Sequence, residues 1–124
     1  MLRKYIVSAL MLFSATGAFA GATGERYDLT GDDRSIIENS VKEHLIDPDS
    51  AKFSEIRASI DRGEIAVCGS VNAKNRMGGY TGKAPFYGLL KKSGGASVFL
   101  VLSDIEASRS AWVAADSFCE MFKF

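Results

Sequence analysis

The chain is poor in the side chains that do most enzymatic and metal chemistry. It holds one histidine, two cysteines and two prolines in 124 residues. A zinc site draws several Cys and His ligands at short spacing, and one His with two cysteines far apart does not supply them. A serine triad needs a histidine held at the nucleophile and oriented by a carboxylate. The single His44 lies beside Val41 and Leu45 on a helical stretch and reads as a packed or rim residue. No Cys-x-x-C occurs, so a reactive dithiol is not expected. No charge excess exists either, with 15 cationic and 15 anionic side chains. Such a balance gives no general attraction to nucleic acid or to an anionic membrane. No cofactor or metal is expected.

Beyond the first residues there is no long apolar run. Arg3 and Lys4 precede an apolar stretch from Ile6 to Phe13, and Ala18-Phe19-Ala20 follows as a small-x-small pattern. These features predict a signal peptide over 1–20, cleaved between Ala20 and Gly21. The apolar run is short of the roughly 20 residues that a spanning helix needs. An uncleaved anchor is the competing reading. Removing 20 of 124 residues leaves 104, without Arg3 and Lys4, and the balance becomes 13 cations against 15 anions, a net −2. The expected location is periplasmic or secreted. Two cysteines, Cys68 and Cys119, then predict one disulfide. In the chain-entropy model a bridge closing such a loop contributes about 4 kcal/mol.

Periodicity predicts an α+β domain over 32–124, preceded by a flexible leader, 21–31, rich in Gly and Thr. A helix is expected from Asp32-Asp33, whose charges suit the positive end of the helix dipole. Ile36, Ile37, Val41 and Leu45 recur at helical spacing, with Ser40 and His44 on the same side. Pro48 is expected to end it near Ile46 or Asp47. Asp49 or Ser50 then caps one further turn carrying Ala51 and Phe53. Four antiparallel strands follow as a meander. Two flank the turn Asp61-Arg62-Gly63, a third covers Phe86 to Lys91, and a fourth covers Ala96 to Ser103. The fourth, ASVFLVLS, is apolar on both sides and reads as a central or doubly covered strand. A last helix carries Ala111, Trp112, Ala115, Phe118, Cys119 and Phe122 on one stripe, with Ser108 or Ser110 as its cap. Cys119 lies on that stripe and Cys68 on the strand side opposite Ile65 and Val67. A disulfide would tie the last helix to one sheet face.

Two stretches stand out. One runs from Leu45 to Phe53, LIDPDSAKF. The other runs from Cys68 to Phe86, CGSVNAKNRMGGYTGKAPF. Together they resemble small exported bacterial proteins, often prophage-associated and of unknown function, that carry LxDPxSAKF and CGxVNAKNxxGGYxGxxPF. That resemblance covers about a third of the chain and implies export. It carries over no catalytic residue.

The second stretch holds the candidate binding loop, with Asn72, Lys74, Asn75, Arg76, Gly78, Gly79, Tyr80 and Lys83. Its glycines do not form a P-loop, because Gly82-Lys83 is followed by Ala84-Pro85 and then a strand, not a helix. Two readings stay open. In one, the cations meet an anionic group, the asparagines hydrogen-bond a ligand and Tyr80 stacks on a sugar or peptide. In the other, the asparagines bond their own backbone and Tyr80 folds back on the core. Asp47 and Asp49 around Pro48 suggest paired carboxylates, but helix termination and capping account for both. The function expected is a non-enzymatic binding or interaction domain for an envelope component or a protein partner. The alternative is an inhibitor or immunity-type protein that binds an exported hydrolase or toxin, with a small enzyme as the third class.

Overall fold

The computed structural model describes residues 24–122 and Phe124. The expected signal peptide, 1–20, and the first residues of the expected leader lie outside the described residues. The architecture is α+β, with a five-stranded antiparallel meander and two helices. The elements are β1 (Glu25–Tyr27), α1 (Gly31–Lys42), β2 (Lys52–Asp61), β3 (Glu64–Asn72), β4 (Ala84–Ser93), β5 (Ala96–Val101) and α2 (Arg109–Met121). Four strands were expected. The fifth is β1, drawn from the segment read as a flexible leader, and it pairs Tyr27 with Ala58 of β2. Three residues are too few to show a period of two, so the sequence pattern does not reveal it.

α1 starts where a reciprocal cap is available. The Thr30 hydroxyl accepts from the Asp33 N–H at 3.1 Å, and the Asp33 carboxylate accepts from the Thr30 N–H at 3.0 Å. Ile37 and Val41, one turn apart, are fully buried on its inner stripe. The helix stops at Lys42, before the limit that Pro48 sets. The His44 and Leu45 N–H groups donate to Val41 and Lys42 carbonyls three residues back, which tightens the last turn and ends the α-helical pattern. The turn after Pro48 is a 3₁₀ turn over Pro48–Ser50. It does not carry Phe53, which instead lies in β2 and packs edge-on against Phe86.

β2 is interrupted by a bulge between Ser54 and Arg57, where Glu55 adopts φ +58°. The extra residue moves the inward set from Phe53 to Ala58 and Ile60, odd to even numbers. That break hid the first part of the strand from a period-of-two reading. β2 and β3 turn at Arg62 and Gly63, both at positive φ. β4 and β5 turn at Gly94 and Gly95, likewise both positive. These are tight two-residue hairpins.

The sheet has two covered faces. Ala58, Ile65, Val67, Val71, Phe86, Leu90 and Phe99 form one core layer with Ile37 and Val41 of α1. On the opposite face α2 packs over β3 and β4. There Phe118 stacks on Tyr87 with ring centroids 4.5 Å apart. The Cys68–Cys119 disulfide joins α2 to β3, with Cα atoms 6.4 Å apart. Ser108 is the N-cap of α2, its hydroxyl accepting from the Ala111 N–H.

β5 departs from the expectation of a central strand. It pairs only with β4 and forms an edge. α1 covers its inner side, while α2 sits over β3 and β4. Val98, Leu100 and Leu102 therefore stay half exposed. An apolar run on both strand faces is compatible with burial, but it does not require it.

Candidate functional site

The loop joining β3 to β4 begins as the two strands separate. Val71 and Ala84 are still paired, and the chain between them leaves the sheet. Its shape is fixed mainly by its own side chains. The Asn75 carboxamide oxygen accepts from the Met77 N–H at 2.9 Å and the Gly79 N–H at 3.2 Å. The Asn75 N–H donates to the Gly79 carbonyl, and the Gly78 N–H donates to the Asn75 carbonyl. Asn72 accepts from the Gly82 N–H at 3.1 Å. Asparagine closes such turns because its short carboxamide reaches backbone donors a few residues on. Gly78 and Gly82 take φ of +78° and +94°, which other L-residues rarely adopt. A Lys74–Tyr80 bridge sets the two limbs antiparallel.

The loop rests on the segment after α1. The Lys74 N–H donates to the Ser50 hydroxyl at 2.8 Å, and the Tyr80 hydroxyl donates to the Ser50 carbonyl at 3.2 Å. Ser50 is itself held by a 2.8 Å bond from its hydroxyl to the Asp47 carbonyl. The Lys52 and Lys74 ammonium groups lie 4.5 and 5.6 Å from the centre of the Tyr80 ring, within cation–π range. Lys83 lies 3.8 Å from the Glu55 carboxylate, both exposed. The two stretches singled out in the sequence, 45–53 and 68–86, are therefore neighbours in space.

The candidate residues divide by role. Asn72, Asn75 and Gly78 build the loop, with Gly79 donating and accepting within it. Tyr80 is fixed at its hydroxyl, and Lys74 and Lys83 have neighbours. Arg76 lies at the exposed tip. Next to it is Met77, 93% exposed, which the sequence reading passed over. Ser50, Lys52 and Glu55 also belong to this surface and were missed. Ser50 and Lys52 lie twenty or more residues before the loop, and no local period links them to it. His44 is exposed just beyond the end of α1, and Asp47 precedes the 3₁₀ turn. Among the described residues no group of three or more His, Cys, Asp or Glu side chains is placed to hold a metal ion. None of the described helices is long and apolar enough to cross a membrane.

A second polar cluster lies on the α1 face. The Lys92 ammonium donates to the Asp33 carboxylate at 2.9 Å and to the Tyr27 hydroxyl at 2.7 Å. Burial pushes the Asp33 carboxyl up. The hydrogen bond from Lys92 and those from Thr30 outweigh it, and its pKa sits below the ordinary value. Lys92 is raised, chiefly by its hydrogen bonds to Tyr27 and Asp33. This cluster joins β1, α1 and β4 and is fully used within the fold.

No family model, curated protein or solved structure matches the chain.

Proposed function

We propose that this chain is a periplasmic or secreted, non-enzymatic binding domain whose contact surface is the 72–83 loop. The observation that carries the reading is Met77. A large apolar side chain stands 93% exposed, beside Arg76, at the tip of a loop whose backbone is hydrogen-bonded into one shape. A mobile loop loses conformational entropy on binding, and a pre-shaped one loses less. Methionine and arginine are both enriched in protein–protein interfaces. Small-molecule sites are concave, whereas residues 75–83 are exposed throughout. The loop suits insertion into a cleft of a larger envelope partner. The same observation favours an inhibitor-type role, in which that cleft belongs to an exported hydrolase or toxin. The disulfide suits an oxidising compartment.

Affinity capture from periplasmic extract with the parent chain and with an Arg76→Ala/Met77→Asp variant tests the surface. A partner retained by the parent and lost by the equally stable variant supports the loop. Equal retention by both removes it. Amide shift titration with soluble peptidoglycan fragments checks the glycan class. Shifts confined to another surface would replace the loop by that surface.

A further inference from the structure

The two edges of the sheet are unlike. β1 is three residues long and carries Glu25 and Arg26. Short length and charge are how sheet edges avoid pairing with other chains. β5 has neither protection. From Ala96 to Ser103 the sequence ASVFLVLS holds no charge, no proline and no glycine. Its register with β4 is continuous, Gly88 with Val101 through to Ser93 with Ala96, with no bulge to twist the edge away.

The hydrogen-bond phase shows what the edge offers. The Leu102 N–H donates to the Tyr87 carbonyl. Antiparallel pairs alternate between bonded and non-bonded. Residues 98, 100 and 102 therefore face β4 with their backbone groups, and Ser97, Phe99 and Val101 direct theirs outward. No other described strand pairs with them. A groove of about 590 Å³ runs along this edge, between the strand and the Ile36, Ser40 and His44 flank of α1.

We infer that β5 is the interface of a two-fold dimer of this chain, pairing antiparallel with β5 of a second copy to form a continuous ten-stranded sheet. The occupant follows from complementarity. An antiparallel pairing centred on Phe99 sets Phe99 opposite itself and Ser97 opposite Val101, so every outward donor meets an outward acceptor. The same register sets Val98 of each copy beside Leu100 of the other, and Leu102 beside Ala96. The half-exposed apolar side chains then cover one another on the outer face. Within the strand pair no like charges are opposed, because ASVFLVLS has none. An isologous contact of this kind closes on itself and stops at two copies. On the α1 face the groove beside the seam is lined by Ile36, Ser40, Glu43 and His44.

Sedimentation velocity of the oxidised chain across a concentration series, with amide hydrogen exchange at both extremes, tests this. The expected result is a species of twice the chain mass. The Ser97, Phe99 and Val101 amides should be protected in the concentrated sample and lose protection on dilution. Leu100→Lys should shift the chain to monomer with its circular dichroism and disulfide intact. Val98→Lys gives a second, independent variant should the first fold poorly. A monomer at every concentration up to the solubility limit overturns the proposal. So does a dimer in which those three amides exchange freely, because the contact is then elsewhere. A monomer that keeps them protected also overturns it, since another part of the same chain then covers the edge.

Discussion

The Tyr80 hydroxyl donates to the Ser50 carbonyl at 3.2 Å, linking the tip-side limb of the 72–83 loop to the 3₁₀ turn after Pro48. Two ammonium groups, Lys52 and Lys74, also lie within cation–π range of its ring. Tyr80→Phe removes only the hydrogen bond and is expected to cost about 0.5–1 kcal/mol or less, since the residue is partly exposed. Tyr80→Ala removes the ring as well. Its main effect should be local, with the Gly79 and Gly82 amides exchanging faster while the β3 and β4 amides keep their protection. Amide hydrogen exchange on the two variants checks it. Unchanged exchange in Tyr80→Ala would mean that Asn72 and Asn75 hold the loop alone.

Much of this arrangement was legible in the residues. Asn-rich, glycine-punctuated sequence between two strands allows a loop that bonds to itself, one of the two readings open from the residues, and Asn72 and Asn75 do so bond. The strand side of Cys68 and the apolar stripe of Cys119 both follow from period, and the disulfide joins them. Other features lacked a local signal. β1 is too short for periodicity, and the Glu55 bulge reverses the alternation of β2 midway. β5 reads as central or doubly covered because ASVFLVLS is apolar on both sides; Phe99 is buried against α1, but nothing in the sequence reveals that the outer side lies beyond the reach of α2. Nothing local marks Met77 as exposed, since an apolar residue in a polar loop fits inward packing equally well, and only the fold shows it pointing out.

The disulfide is expected to dominate the stability of α2. A double Cys68→Ala/Cys119→Ala variant should lose about 2–5 kcal/mol, the usual range for a native bridge in a small secreted domain. α2 keeps other anchors, the Phe118–Tyr87 stack and the bond from the Ser59 hydroxyl to the Phe122 carbonyl. The sheet and α1 share a separate core layer on the other face, so they should persist under conditions where α2 exchanges freely. Urea denaturation of oxidised, reduced and double-variant chains measures the loss. A reduced chain as stable as the oxidised one would show that packing alone fixes α2. Free-thiol labelling under denaturing conditions should find no thiol in protein isolated without reductant.

Asp33 gives stability a defined pH dependence. Its native pKa is lowered, so the folded state holds the charged form more firmly than the unfolded chain does. The resulting stabilisation is fully present above the ordinary carboxylate range, about 4, and is lost as pH falls through the lower native value. Asp33→Asn keeps much of the shape but removes the charge that Lys92 binds. The stability difference between parent and variant should be constant near neutral pH and should shrink below about pH 4. Thermal or urea unfolding at a series of pH values reads it. A difference that grows on acidification would contradict the assignment, because it would imply a raised pKa.

Gly88 marks the place where β4 and β5 leave no room for a side chain. A Cβ there would lie 2.0 Å from the Leu100 carbonyl oxygen and 2.8 Å from the Phe99 ring. The first neighbour is backbone in the paired strand, and it moves only if the β4–β5 ladder moves. The second is a buried core ring that stacks edge-on against Phe86. Gly88→Ala should therefore destabilise the domain by about 1–3 kcal/mol or more, as overpacking of a core does. Gly63→Ala is a useful contrast. Its Cβ would meet nothing within 4 Å, and its cost would come only from φ +79°. Denaturation midpoints compare the two, and chemical shifts show where each acts. Gly88→Ala should disturb Phe99 and Leu100, whereas Gly63→Ala should leave both in place. If Gly88→Ala proved neutral with unshifted Phe99 signals, the close approach of β4 and β5 at this position would be wrong.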